Sequence, residues 1–233
     1  MWSSVFIIDP LYTVWLLIGC AVAWFARARP LAQKALVAGL VLSCGYLGWS
    51  LLAKHSVERQ ADRALAAMGL GDAPRFSVAT PFNTLLWQVV AITPSGYVIG
   101  ERSLVADNGP MHFQGYPSNV QALRQAEAAG IPAVQRLQWL NRGFMRAQVV
   151  DGRLQLSDLR MGLEPDYTFT FAVARAEGER WVAIVPEQLR PAYEGEQGRA
   201  RVKQRFAQMW ARIWHAPPAQ AAAADSAAAN TVR

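Results

Sequence analysis

Two uncharged apolar runs near the start of the chain limit its fold more than any other feature. They read LYTVWLLIGCAVAWFA at positions 11–26 and ALVAGLVLSCGYLGWSLLA at positions 35–53. A membrane-crossing helix needs about 20 apolar residues, and about 17 is the lower limit. The second run satisfies this length, and the first does so when Tyr12 and the apolar residues before Asp9 are counted as interfacial. We therefore predict a two-helix transmembrane hairpin over residues 1–53.

A buried core helix and a signal peptide can also contain apolar runs of this kind. Each run is compatible with the core helix of a water-soluble domain. A signal peptide would carry positive residues before the first run and a small-residue cleavage site after it. The first run is instead followed by Arg27 and Arg29, so a signal peptide is rejected.

The segment between the two runs is short and positively charged. It reads ARARPLAQK, with Arg27, Arg29 and Lys34, and Pro30 stands where a helix hairpin would turn. Short positive loops stay on the cytoplasmic side of a membrane. The downstream domain is therefore expected on the periplasmic side, although basic residues that follow the second run weaken this rule.

The composition excludes several classes of protein. Hydrophobic residues make up 52% of the chain and charged residues 17%, the reverse of the balance in a disordered protein. The chain contains 2 cysteines and 3 histidines, and the histidines are widely separated. These counts exclude a disulfide-stapled mini-domain, a Cys-rich zinc module and a local His-cluster metal motif.

The remainder of the chain predicts one soluble domain between two simpler segments. Apolar residues recur at helical spacing from His55 to Leu70, which predicts a helical stalk over 54–70. Short β-rich segments with interleaved helices then predict an α+β domain with a mostly antiparallel sheet over 71–215. The Ala-rich tail at 216–233 has no periodic pattern and is expected to be disordered.

Local signals place several elements inside the soluble domain. The triplet Pro94-Ser95-Gly96 and the pair Asp151-Gly152 each lie between β-rich runs and predict hairpin turns. A helix is predicted over 118–129, with Ser118 as its N-cap. The alternation in YTFTFAVARA predicts a strand over 167–176.

The segment Glu196–Trp214 is typical of a basic amphipathic helix. One interpretation is a terminal helix docked on the sheet, and the other is a helix lying on anionic lipid with Trp at the interface. Nucleic acid is not expected as a partner, because no stacking motif accompanies the charge. The apolar stripe comprises Val202, Phe206, Met209, Trp210, Ile213 and Trp214, and the basic residues are Arg199, Arg201, Lys203, Arg205 and Arg212.

No local motif of a catalytic site is present, but two segments are unusual for surface loops. The chain has no H-E-x-x-H, C-x-x-C, G-x-S-x-G or Walker A pattern. One unusual segment contains Thr80, Pro81, Phe82, Asn83 and Trp87. It is interpreted either as Pro-Asn turn chemistry or as part of a functional site.

The other unusual segment contains Asp158 and Arg160, two positions apart. These residues are predicted to pair through charge-assisted hydrogen bonds. Their pair is interpreted either as a surface ion pair or as part of a functional site.

Asp9 is an isolated acidic residue among apolar neighbours. It lies in FIIDPLY, directly before Pro10. An acidic residue in this position caps a helix that begins with Pro. The alternative is a buried functional carboxylate at the membrane boundary.

Several motifs, in order along nearly the whole chain, resemble the downstream part of the YdjM-like family. They are FIIDPLYT, GYLGWSLLAKHSVER, TPFNTLLWQVV and LSDLRMG before YTFTFAVA. The family comprises bacterial inner-membrane proteins described as membrane-bound metal-dependent hydrolases. The resemblance implies a divalent metal cofactor, with Asp9 as the one matching candidate ligand. The upstream His-Arg-Gly-x-Thr-His-Ser motif that carries the family's metal ligands is not in this sequence.

Two functional hypotheses follow from these observations. A hydrolytic zinc site uses about three protein ligands, and one carboxylate does not supply them. The first hypothesis is a membrane-anchored metal-dependent hydrolase, as a fragment of a longer protein or a diverged form that lacks the ligands. The second is a non-enzymatic membrane-anchored module that binds a protein partner through its soluble domain.

Overall fold

The computed structural model describes residue 5 and residues 9–27, 30–189 and 195–217, without the side chains of residues 195–197 and 199. Arg29 of the charged link, the Arg199 side chain and the predicted tail beyond position 217 lie outside the described part.

The described residues form an α+β structure with antiparallel strand pairing, as predicted. The helices are α1 (Pro10–Ala26), α2 (Pro30–Ala67), α3 (Val120–Ala128), α4 (Pro132–Asn141) and α5 (Gly195–Trp214). The strands are β1 (Arg75–Ala79), β2 (Leu86–Thr93), β3 (Gly96–Ser103), β4 (Phe113–Pro117), β5 (Met145–Val150), β6 (Arg153–Asp158), β7 (Gly162–Leu163), β8 (Asp166–Tyr167), β9 (Thr170–Glu177) and β10 (Arg180–Gln188).

The strands form three sheets. Their orders are β1-β2-β3-β4, β10-β9-β6-β5 and the two-stranded pair β7-β8. In the second sheet, Ala147 of β5 lies opposite Leu156 of β6, which in turn lies opposite Phe171 of β9. This register points Ala147 and Leu156 into the core on one face of the sheet.

The chain divides into two compact units. The first unit contains the described residues of Met1–Val89, Gly100–Phe113 and Met209–Asn230, and the second contains those of Val90–Ile99 and Gln114–Gln208. The core of the second unit is formed where α3 and α4 cover the sheet of β5, β6 and β9. It comprises Ala122, Ala126, Ile131, Val134, Met145, Ala147, Leu154, Leu156, Val173 and Ala174.

In the first unit, α1 and α2 pack at the distance that only glycine allows. A Cβ atom on Gly39 would lie 2.6 Å from the backbone oxygen of Trp15, and one on Gly19 would lie 2.9 Å from that of Ala35. The Ser43 hydroxyl donates a hydrogen bond to the backbone oxygen of Tyr12 at 3.1 Å. Small residues therefore join the two helices through close backbone approach.

Helix α2 changes character along its length. It is 38 residues long, and its N-terminal part is apolar enough to cross a membrane. Helix α1 is also apolar but has 17 residues. In the C-terminal part of α2, where a stalk was predicted, Val57, Ala61 and Leu65 are buried, and the Lys54 ammonium donates to the backbone oxygen of Ser77 in β1 at 3.5 Å. This part of α2 therefore belongs to the core of the first unit.

The predicted turns are confirmed. The turn at Pro94 and Ser95 joins β2 to β3, and Asp151 and Gly152 join β5 to β6. Asp151 and Gly152 have φ angles of 50° and 68°, the left-handed geometry that a two-residue hairpin turn requires.

Three local predictions were wrong or incomplete. Asn119, and not Ser118, caps α3, because the Asn119 side chain accepts a hydrogen bond from the Ala122 amide. The Ser118 hydroxyl instead accepts from the Ala147 amide of β5 at 2.9 Å. The strand expected over 167–176 is divided, since Tyr167 belongs to β8 and β9 begins at Thr170. No strand was predicted at β4.

The contact between the helices predicts opposite effects of two glycine substitutions in α2. Gly39→Ala should lower the thermal unfolding midpoint in detergent, because overpacking costs about 1–3 kcal/mol. Gly48→Ala is the matched control, since no atom lies within 4 Å of its added Cβ. Alanine is the better helix former by about 1 kcal/mol, so this variant should be as stable as the parent or more stable. Equal shifts in both variants would contradict the glycine contact.

Candidate functional site

The segment Thr80–Trp87 in the first unit, here called the TPFN loop, includes the first two residues of β2 and is held by the side chain of Asn83. Its amide nitrogen donates to the Thr80 hydroxyl at 2.9 Å and to the backbone oxygen of Pro81 at 3.1 Å. Its carbonyl oxygen accepts from the amides of Leu85 at 3.0 Å and Leu86 at 2.8 Å. One buried side chain therefore satisfies both ends of the turn, which is a structural role.

The other predicted residues of the TPFN loop have different environments. Trp87 is fully buried and donates its indole N–H to the backbone oxygen of Thr84 at 2.9 Å. Phe82 is 40% exposed and has a φ angle of 64°. A bulky side chain in the left-handed region is unusual and costs energy, so the surrounding hydrogen bonds must hold it. The loop therefore presents Phe82 at the surface in a fixed conformation.

The predicted pair of Asp158 and Arg160 is present in the second unit. The Arg160 guanidinium donates through Nε at 3.0 Å and through Nη2 at 2.6 Å to the two carboxylate oxygens of Asp158. The Arg160 amide also donates to the same carboxylate at 2.9 Å. The hydrogen bonds that the Arg160 side chain donates to Asp158 raise the pKa of Arg160, so the guanidinium stays positively charged. It closes the turn that follows β6.

Asp9 is the N-cap of α1, as the capping interpretation predicted. One carboxylate oxygen accepts from the Leu11 amide at 2.9 Å, and the other accepts from the Tyr46 hydroxyl at 2.7 Å. Among the described residues there is no group of three or more His, Cys, Asp or Glu side chains that could hold a metal ion. Asp9 alone does not fit the metal centre that the family resemblance implies, and the metal remains a prediction.

A polar cluster in the second unit was not predicted from the sequence. Arg146, from β5, donates through Nη1 to Glu164 at 2.9 Å and through Nη2 to the backbone oxygen of Pro165 at 3.2 Å. The Tyr97 hydroxyl donates to the other oxygen of Glu164 at 2.5 Å. The Arg146 guanidinium lies 5.0 Å from the ring centre of Tyr167. We call these residues, Tyr97, Arg146, Glu164 and Tyr167, the Arg146 cluster.

Helix α5 is attached to the Arg146 cluster through its basic side. Arg205 donates to the backbone oxygen of Glu164 at 2.6 Å and lies 3.6 Å from Asp166. Arg201 lies 4.0 Å from the same Asp166 carboxylate. From the sequence, these basic residues could contact either the protein or anionic lipid. Because Arg201 and Arg205 form ion pairs with Asp166, this part of α5 is docked on the protein.

Burial controls the electrostatics of the cluster. It raises the pKa of the Tyr97 hydroxyl, and the hydrogen bond to Glu164 raises it further. Burial also raises the pKa of Tyr167, with a smaller contribution from nearby Tyr97. Two buried atoms, Arg146 Nε and the Tyr167 hydroxyl oxygen, have no hydrogen-bond partner among the described residues. Both tyrosines therefore stay protonated in the folded state far into the alkaline range.

A small cavity lies in the first unit where α2 meets β1. Its volume is about 30 Å³, which holds about one water molecule. The Glu58 carboxylate at its edge accepts from the Ser77 hydroxyl at 2.8 Å and lies 3.6 Å from Lys54. Burial lowers the pKa of Lys54, and Glu58 opposes that shift. A cavity of this size is too small for a substrate.

The Arg146 cluster predicts a loss of stability in alkaline solution. The folded state keeps two phenolic protons that the unfolded chain releases above about pH 10, so the free energy of unfolding must fall as pH rises past that point. The expected slope is about 1.4 kcal/mol per pH unit for each tyrosine. Denaturant unfolding followed by circular dichroism between pH 8 and 11 measures it.

The double variant Tyr97→Phe, Tyr167→Phe is the control for this slope. It should be less stable at pH 8, because the hydrogen bond to Glu164 is lost, yet show a flatter pH dependence above pH 10. Ionisation of every tyrosine at pH 11 in the folded protein, read from phenolate absorbance, would contradict the prediction.

No protein-family model matches this chain, and neither a curated protein nor a solved structure matches it. The resemblance to the YdjM-like family therefore rests on the quoted motifs alone and remains a prediction.

Proposed function

We propose that this chain is an integral membrane protein in which α1 and α2 cross the bilayer as a hairpin. The close glycine contact between the helices carries this proposal, because it leaves their large apolar side chains pointing outward. Phe25 is 87% exposed and Leu52 is 68% exposed. Exposing such a side chain to water is less favourable by about 1.5–3 kcal/mol than placing it in an apolar environment. The hydrocarbon core of a bilayer provides such an environment. The lipid bilayer is the first partner of the protein.

The charges of the link support one orientation of the hairpin. Arg27, Arg29 and Lys34 lie between the two apolar segments, and short positive loops remain in the cytoplasm. The ends of α1 and α2 that carry Asp9 and the α+β part then face the periplasm. The family resemblance favours a bacterial inner membrane.

We further assign the α+β part a binding role, with a protein as its partner. The TPFN loop supports this role, because the hydrogen bonds of Asn83 hold Phe82 half-exposed in an unfavourable conformation. A fixed, exposed aromatic ring loses little conformational entropy on binding and is a typical centre of a protein interface. The Asp158–Arg160 pair is a second rigid surface feature, in the second unit.

The metal-dependent hydrolase implied by the family resemblance is the alternative. Both oxygens of Asp9 are engaged with Leu11 and Tyr46, and this arrangement favours a structural role for the one candidate ligand. Stoichiometric zinc, manganese or iron in the gently extracted protein would favour the hydrolase.

Cysteine labelling tests the hairpin and its orientation. Cys20 and Cys44 both lie on the exterior of the helices within the proposed spans. A membrane-impermeant maleimide should label neither in intact membranes and both after denaturation in detergent, because lipid covers the two thiols. Labelling of either cysteine in intact membranes would overturn the hairpin.

A chain with both cysteines replaced by Ala then reports sidedness. Ser95→Cys should react in intact cells, and Gln33→Cys should react only after the inner membrane is permeabilised. Both side chains are exposed, so they form a matched pair. The reverse pattern would place the α+β part in the cytoplasm.

Substitution of Phe82 tests the binding role. Phe82→Asn removes the ring but keeps a residue that tolerates a positive φ angle. We expect the yield of a chemically crosslinked complex from intact membranes to fall about 30-fold, as for a hot-spot residue worth about 2 kcal/mol. The thermal unfolding midpoint should change little.

Val185→Asn is the matched control, since Val185 is an exposed apolar residue of β10 in the second unit. This variant should leave the crosslinked complex unchanged. Absence of any crosslinked complex in the parent chain, together with stoichiometric metal, would replace the binding role with the hydrolase.

A further inference from the structure

The last turns of α5 are fixed to the first unit. Met209 and Ile213 are buried against Leu86, with Leu85 beside them. The Ser103 hydroxyl donates to the backbone oxygen of Ile213 at 2.6 Å. This end of the helix is therefore held by its apolar face and by one backbone carbonyl.

An ion pair fixes the rotation of the same turns. Arg212 donates through Nη1 at 2.9 Å and through Nη2 at 2.6 Å to the two carboxylate oxygens of Asp107. Glu101 lies 3.8 Å from the same guanidinium. A two-pronged guanidinium–carboxylate contact holds its geometry better than a single hydrogen bond. The direction of the remaining side chains on these turns is therefore set.

Two tryptophans on these turns remain open to the surroundings. Trp210 is 52% exposed and Trp214 is 53% exposed, and they lie one helical turn apart on one face. Tryptophan combines a large apolar ring with an N–H donor, and it is enriched where membrane proteins meet the headgroup region. The pair is suited to a lipid interface.

Contacts within the first unit connect these turns to the end of the helix hairpin. Leu85 and Leu86 belong to the TPFN loop, which follows β1, and Lys54 of α2 donates to the backbone oxygen of Ser77 in β1 at 3.5 Å. Tyr46 of α2 donates to Asp9 at the start of α1. A carboxylate is costly in the hydrocarbon core, so Asp9 marks the level at which the hairpin leaves it.

We propose that Trp210 and Trp214 lie in the lipid headgroup region beside the hairpin and form a second, peripheral membrane contact. This inference rests on the proposed membrane hairpin. Anionic headgroups suit the part of α2 just beyond its apolar segment, because Arg59 and Arg63 are exposed there. The tryptophans fix the orientation of the first unit against the bilayer surface.

Spin labels on single cysteines in nanodiscs with anionic lipid test the proposal. Trp210→Cys and Trp214→Cys are made in a chain with both native cysteines replaced by Ala, and Gln208→Cys is the control. Gln208 is exposed and lies on roughly the opposite side of the helix from the tryptophans. Collision with a water-soluble nickel chelate should be several-fold slower at positions 210 and 214 than at 208.

Labels on the native Cys20 and Cys44 separate the two possible failures. Equal nickel access at positions 208, 210 and 214, with Cys20 and Cys44 still protected, would overturn the interfacial contact and leave the hairpin intact. Nickel access at Cys20 and Cys44 would overturn the hairpin and the contact together.

Discussion

Helix α2 continues without a break from a part with exposed apolar side chains to a part that is buried in the first unit. Its N-terminal part turns apolar side chains outward, while Val57, Ala61 and Leu65 in its C-terminal part are buried in the first unit. A helix satisfies its own backbone hydrogen bonds, so it can pass from one environment to another without an exposed polar group. The glycine contact with α1 and the Lys54 contact with β1 both depend on this continuity.

Where helices and strands end, single polar side chains form the hydrogen bonds that backbone groups form inside those elements. The Asn83 side chain accepts hydrogen bonds from backbone amides of the TPFN loop. The Ser103 hydroxyl accepts from two backbone amides and donates to the backbone oxygen of Ile213 near the end of α5. The Ser118 hydroxyl, just before α3, accepts from the Ala147 amide of β5. Each of these groups is buried or partly buried, and an unpaired group there would cost about 1–3 kcal/mol. These bonds hold Phe82 and Trp210 where they reach the surface.

Local patterns accounted for the elements that local forces form. The capping of α1 by Asp9, the Asp151-Gly152 turn and the Asp158–Arg160 pair each involve residues within two positions of one another. The errors occurred where a distant partner competed. Ser118 was predicted as a cap, but its hydroxyl binds Ala147 of β5, and the adjacent Asn119 caps the helix. No local rule could have made that choice.

The sequence by itself determined two long apolar helices, a charged link, an α+β part with its hairpin turns, and the residues of the TPFN loop. These features follow from helical periods, strand periods and turn residues, which are properties of neighbouring positions. Only the tertiary structure decided which polar groups meet. Tyr46 meets Asp9, Tyr97 meets Glu164, and Arg212 meets Asp107, each across many positions of the chain. Such contacts depend on how buried surfaces pack, and packing is not a property of any one segment.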